Sequence, residues 1–212
     1  MKQKCSESGT YAEYVAVPET WKQGVVAKIP DGVSYEDAAA LPIGAMTALD
    51  LLNRANINEG RKVLVYGASG SVGSYAVQIA KHMGAEVTGV CSTKHIDAVK
   101  SIGADEVIDY KKEDFTQRGK RFDVVFEAVM KISASRAKKV LKKGGKYLSV
   151  KSSTEETTEN LLYLIDLVKK GKIRPLIDRS FPLEEIVQAH QYVDKGHKTG
   201  NVVIDVPKGE LQ

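Results

Sequence analysis

The sequence predicts an α/β fold, a doubly wound parallel sheet covered by helices. Three observations predict it. Short β-branched runs alternate with helical stripes of apolar residues between residues 62 and 150. Glycines follow two of those stripes, at Gly84 and Gly103, where a helix needs a stop. The first run leads straight into Gly67-Ala68-Ser69-Gly70-Ser71-Val72-Gly73, and a helical stripe opens from that turn. Strand, glycine turn and helix in that order give the domain a Rossmann-like start.

The elements follow in order. Lys62 to Tyr66 is a β-branched strand, and the stripe Val72, Ala76, Ile79, Ala80, Met83 is the helix after the turn. Val87 to Cys91 is the second strand. Ser92 or Thr93 can cap a helix whose buried side is Ile96, Val99 and Ile102. Glu106 to Tyr110 reads as the third strand and Phe122 to Phe126 as the fourth. A helix through Val140 and Leu141 then crosses Gly144-Gly145 into a fifth strand, Lys146 to Val150.

The flanks are less regular. Gly9 to Pro18 alternates weakly, and Val25 to Ile29 reads as another strand. Ser34 with Asp37 marks a helix start, and Ala45 to Leu52 is the helix that enters the sheet. After the sheet, Leu161, Leu164, Ile165 and Val168 form a helical stripe that ends near Gly171. Pro182 with Glu184-Glu185 opens a helix through His190 and Val193, stopped by Gly196, and Asn201 to Val206 is a last strand. The expected division is 1–40 ahead of the sheet, 41–153 as the dinucleotide-binding unit, and 154–212 as C-terminal helices with a return strand.

Composition narrows the function classes. In 212 residues, 42% are apolar and 27% charged, an ordinary soluble mixture. The net charge of +4 comes from Lys and Arg spread along the chain, which argues against a nucleic-acid partner. No apolar run is long enough to cross a bilayer, and residues 1–7 lack a signal-peptide core. The two cysteines, Cys5 and Cys91, form neither a disulfide framework nor a CxxC pair, so a reducing, cytoplasmic setting is expected. His82, His95, His190 and His197 show no ligand spacing and read as surface or packing residues; no metal is expected.

The glycine turn carries the chemistry. Gly70 lets backbone approach a pyrophosphate, Gly73 lets the helix pack on the strands, and the helix N-terminus offers unpaired N–H groups to the anion. Ser69, Ser71 and Val72 complete the turn. Ala68 stands at the first position of the usual GxGxxG, so the fingerprint is a variant. An NAD site usually has an acid about 20 residues on, for the ribose 2′-hydroxyl. Here the second strand ends in Val90-Cys91-Ser92-Thr93-Lys94-His95, without a carboxylate. Hydroxyls and a cation suit a 2′-phosphate, so NADPH is favoured over NADH. Ser92 reads equally as a helix cap and Lys94 as a solvated helix residue.

Beyond the turn, the chain resembles the medium-chain dehydrogenase/reductases, specifically their zinc-independent quinone oxidoreductase branch. The matching stretches are Gly9 to Val15, Ala40-Leu41-Pro42 with Thr47-Ala48, Val63 to Lys81, Gly103 to Tyr110, Phe122 to Val125 and Ile173 to Gly200. The resemblance implies hydride transfer from NADPH to a quinone, enone or related carbonyl compound as small-molecule substrate. It places Thr47 by the nicotinamide, Gly70 to Gly73 on the pyrophosphate, Ser92, Lys94 and Tyr110 around the 2′-phosphate, and Ala128-Val129 along the far side of the cofactor. Relatives often have glycine where Met130 stands. Pro42-Ile43-Gly44-Ala45 has no Cys or His where the zinc-dependent branch has a ligand.

Two departures from the family pattern lead to further expectations. Most of a GroES-like β domain would be absent, leaving a remnant, and so would the segment after strand five that forms the usual dimer contact. A homodimer would then lack its usual strand, and the last strand of the sheet would be an unpaired edge. No catalytic acid or base is identifiable; Tyr11 and Tyr14 fit packing within the β remnant. The rival reading is a shortened, largely non-catalytic NADPH-binding module.

Overall fold

The computed structural model describes residues 11–12, 14–17 and 24–206. Its centre is a five-stranded parallel sheet in the order β3-β2-β1-β4-β5. The strands are β1 Lys62–Tyr66, β2 Glu86–Cys91, β3 Glu106–Asp109, β4 Phe122–Glu127 and β5 Leu141–Ser149. β2 and β4 flank β1, so the strand order reverses at β1 and opens a crevice at the carboxyl ends. The expected doubly wound fold is therefore the observed one.

Helices cover both faces unequally. α1 (Tyr35–Ala40) leads into α2 (Pro42–Asn53), which lies on the larger core with α3 (Ser71–His82), α4 (Ile96–Ser101) and α6 (Thr158–Lys169). That core joins Leu49 and Leu52 of α2, Tyr75 and Ile79 of α3, Val63 and Phe126 of the sheet, and Leu161 and Leu164 of α6. The opposite face packs Leu64, Val90, Phe115, Phe122 and Val125 under the short α5 (Ala134–Lys138). Burial on both faces explains why apolar residues fill neighbouring positions in β1 and β4 instead of alternating with polar ones. Cys91 ends β2 as a buried thiol, its pKa pushed up to about 11 by burial.

Local chemistry sets the helix ends. Ser34 Oγ accepts from Asp37 N at 3.1 Å, as its spacing predicts, and opens α1. Pro42 occupies the first turn of α2, where its missing N–H costs nothing. Lys81 and His82 close α3 against its dipole, and Gly84 follows at φ +88.

Several expectations are corrected. Val25 to Ile29 forms no strand, although Val25 and Ala27 rest on the larger core. Tyr11 and Tyr14 pack in no β structure and are 55% and 66% exposed; Tyr11 meets His190 edge-on. β3 stops at Asp109, one residue short. The helix expected through Val140 and Leu141 ends at Lys138, and β5 already begins at Leu141. Gly144, at φ +79, then supports an irregularity in the β4–β5 register rather than a loop between elements. Residues 1–10, with Cys5 and the start of the first alternating segment, lie outside the described residues, as do Glu13 and Pro18.

The C-terminal part holds a strand that the sequence reading missed. β6 (Ile177–Pro182) pairs in parallel with β7 (Asn201–Asp205), and α7 (Ile186–Asp194) crosses between them. The last strand thus forms a separate two-stranded sheet rather than returning to the main one. β5 is an edge of the main sheet, as expected, and it carries Lys142, Lys143 and Lys146, residues that discourage edge-to-edge pairing.

Candidate functional site

The glycine turn sits at the strand-order reversal. Gly67 and Ala68 both donate their N–H to Val90 O at 3.0 Å, which ties the turn to β2. Gly67 needs its φ of +83, and a side chain there would strike Val129. A Cβ on Gly73 would overlap the carbonyl oxygen of Gly67, so the close passage of α3 over the turn requires glycine. Gly70 differs. Its backbone (φ −81, ψ 175) suits any residue, and the nearest atom to an added Cβ is Gly67 O at 3.5 Å. Nothing in the chain demands glycine at this point, whereas a ligand drawn against the backbone would. No side chain caps α3, so its first N–H groups face outward beside Gly70. The residues present therefore fit a pyrophosphate.

A strap before β7 closes one side of the turn. Gly200 N donates to Ser69 O at 2.7 Å, and Gly200 forms an isolated parallel bridge with Gly70. Gly200 stands at φ +63 against Leu176 O, where no side chain fits. Ser71 Oγ and Asn201 Oδ1 are 2.6 Å apart, so the Ser71 hydroxyl points at the strap. Gly44 of α2 lies against Ser71 and Tyr75, which lets α2 approach α3 closely. Thr47, three residues further along α2, is half-buried there.

The register of β2 and β3 aligns Cys91 with Asp109, so Ser92 and Tyr110 are the residues that leave the two strand ends. Tyr110 N donates to Cys91 O at 3.1 Å. Ser92 occupies the cap position yet makes no capping side-chain bond, and a 3-10 turn, Thr93–His95, precedes α4. Lys94 is exposed and donates from Nζ to His197 O at 2.9 Å. Tyr110 is half-exposed, its ring centre 6.4 Å from that of Tyr66. These two rings, with Lys111, Asp114, Phe115 and Arg136, line a cleft of about 380 Å³.

One carboxylate enters this end unannounced. Asp109 accepts from Thr93 Oγ1 at 2.5 Å and from Lys111 N at 3.0 Å. The Thr93 hydroxyl bond, with Lys111 and Lys112 nearby, holds its pKa below the ordinary carboxylate value. The strand-end reading considered only β2 and so missed an acid supplied by β3.

The opposite wall follows β4. Ala128 N donates to Tyr66 O at 2.9 Å, and Val129 faces Gly67. Glu127 is fully buried; its carboxylate accepts from Val129 N at 2.9 Å, Lys131 N at 3.0 Å and Ser149 Oγ at 3.1 Å. It fixes the loop that carries Met130 at φ +57, a left-handed conformation that glycine adopts without strain. Sequence reading passed over Glu127 and Asn201. An acid ending an apolar strand was the available sign of the first, and none marked the second. Among the described residues, no three His, Cys, Asp or Glu side chains group as metal ligands.

The zinc-binding dehydrogenase family model matches residues 71–177. A 2-methylene-furan-3-one reductase of Solanum lycopersicum is 36% identical over 92% of this chain and 52% of its own length. An NADPH-dependent alkenal/one oxidoreductase of Arabidopsis thaliana is 34% identical, over 92% of this chain and 53% of its own. The chain thus spans about half the length of these two relatives. It covers 69% of a chloroplast envelope quinone oxidoreductase homolog of Arabidopsis thaliana, at 34% identity over 93% of this chain. A solved NAD-dependent alcohol dehydrogenase superposes with a TM-score of 0.83, at 28% identity, over 94% of this chain and 66% of that one. With its sheet order, its glycine turn and these likenesses, the chain belongs to the medium-chain dehydrogenase/reductase superfamily, as a quinone oxidoreductase-like member.

Proposed function

We propose that this chain binds NADPH at the carboxyl ends of β1 to β4 and acts as a zinc-independent oxidoreductase on a quinone, enone or related carbonyl substrate. The observation that carries this reading is Gly70, a glycine that neither backbone geometry nor packing requires. NADPH, when bound, supplies the hydride. The first turn of α3, with Ser69, Gly70, Ser71, Val72 and Gly73, holds the pyrophosphate through backbone N–H groups. Ala128 and Val129 form the far wall, and Thr47 on α2 stands on the nicotinamide side.

At the adenosine end, Ser92, Lys94 and Tyr110 hold the 2′-phosphate. Asp109 would repel a phosphate, but its oxygens are already engaged by Thr93 and Lys111 N. Lys94, Lys111, Lys112 and Arg136 stand against Asp109, Glu113 and Asp114 at this end, so the balance of charge is slightly positive and favours the phosphate. The alkenal/one relative is named as NADPH-dependent, which supports the same choice. The solved alcohol dehydrogenase is named as NAD-dependent, so a comparison of the two cofactors is decisive. Cytoplasmic residence belongs to this reading on the two sparse cysteines; among the described residues, no helix is long and apolar enough to cross a membrane.

A second reading, a binding module with little turnover, is favoured by one observation. Tyr11 and Tyr14, which the sequence assigns to packing rather than to acid–base chemistry, stand open to solvent. Thermal shift tests both readings. NADPH at about 100 times its Kd should stabilise the protein by about 2.7 kcal/mol. Gly70→Ala should melt near the wild type yet lose most of that shift, because the methyl group meets only the ligand. An unaltered shift in Gly70→Ala, or a larger one with NADH, rejects the assignment. Binding without any quinone- or enone-dependent loss of NADPH absorbance selects the module.

A further inference from the structure

Lys198 lies on the strap before β7 and is half-buried. Its Nζ donates to the carbonyl of Gly200, the residue bridged to Gly70. No carboxylate pairs with it among the described residues. Asp178 of β6 is the acid whose charge reaches it, and that carboxylate already accepts from Tyr192 Oη at 2.6 Å and Thr199 N at 3.1 Å. Lys94, on His197 O, adds positive charge beside the strap. His95, favoured neutral by burial, bonds Thr199 Oγ1 through Nδ1 at 2.8 Å.

We infer that Lys198 is a ligand for the dinucleotide's pyrophosphate, held beside the glycine turn by its bond to Gly200. The inference rests on the cofactor reading above and adds to it a residue that the glycine turn does not contain. An ammonium drawn partly out of water without a counter-ion is costly in the free protein. Burial accordingly holds Lys198 below the ordinary lysine pKa. A phosphate at the turn supplies the missing counter-ion, so the cost in the free state becomes affinity in the bound one. The strap also explains why Gly200 and Asn201 are locked to Ser69 and Ser71: the lock sets where the ammonium stands.

The test is calorimetric titration of the full chain with NADPH and with NADH, beside melting of the free protein. Lys198→Met should weaken both nucleotides about tenfold, the scale of one lost charge-assisted hydrogen bond. Lys198→Arg should stay within about threefold of the wild type, since it keeps the charge. Free Lys198→Met should melt no lower than the wild type, because it removes an unpaired cation. A lysine that only braces the strap would instead lower the melting temperature of the free protein. Unchanged affinity in Lys198→Met, or a loss confined to NADPH, overturns the pyrophosphate assignment. If the wild-type protein binds neither nucleotide, the cofactor reading falls as well, a result distinct from the previous two.

Discussion

Met130 shows how much one residue's backbone can say. Its φ of +57 would suit glycine, yet the position carries a long side chain that is 59% exposed and buries little. Glu127, through Val129 N and Lys131 N, holds the loop in that shape regardless. Replacing Met130 should therefore separate backbone from side-chain effects. Met130→Gly should be more stable than Met130→Ala by about 0.5–1 kcal/mol, the left-handed penalty less the extra freedom of unfolded glycine. Denaturant titration of the two variants measures it directly. An alanine variant as stable as the glycine variant would mean that this backbone is not strained.

Among the elements, α6 shows how the C-terminal part joins the sheet. Thr157 Oγ1 caps it, accepting from Asn160 N at 3.1 Å, and Leu161, Leu164 and Leu167 sink into the core shared with α2. Leu162, one position off that stripe, stands half-exposed. Leu164→Ala should cost about 2–5 kcal/mol and Leu162→Ala no more than about 0.5 kcal/mol. Chemical denaturation of both variants tests the docking of the whole helix. Comparable losses would show that α6 is not seated by this stripe.

For the whole molecule, the titrating groups set an acid limit. Glu106 is held below its ordinary pKa by Lys120 and Arg118, and Asp114 by the N–H of Thr116. Asp109 behaves likewise under its bond from Thr93. Such carboxylates stabilise the fold above their unfolded pKa of about 4, and that contribution is lost as the pH falls through their lower folded values. His95 is also lowered, by burial first and by Lys94 next. It is favoured neutral in the fold, so its share is complete above about pH 6.5 and is lost as the pH falls through its folded value. The melting temperature should thus decline gently below about pH 6.5 and steeply below about pH 4. His95→Gln should remove the gentle phase alone. A melting temperature that rises on acidification between about pH 6.5 and 5 would contradict this account.

Local pattern made the main sheet legible. Each of β1 to β4 is a short run rich in β-branched or aromatic residues, and glycines with positive φ stand after α3, α4, α6 and α7, where the helical stripes stop. The turn at Gly67 to Gly73 was legible for the same reason, since the positive φ of Gly67 and the contact of Gly73 with Gly67 O are local. β6 was not legible, because Ile177 to Pro182 is only half-buried and mixes Asp and Arg among its apolar residues. The start of β5 was hidden by Gly144-Gly145, which resembles a loop until β4 lies alongside it. The amino-acid sequence by itself determined the doubly wound sheet and its glycine turn, because periodicity and turn chemistry are local. Tertiary structure alone decided that Asp109 meets Thr93, and that Gly200 and Asn201 close over the turn. Those partners lie 16 to about 130 residues apart along the chain, a separation that only the packed fold removes.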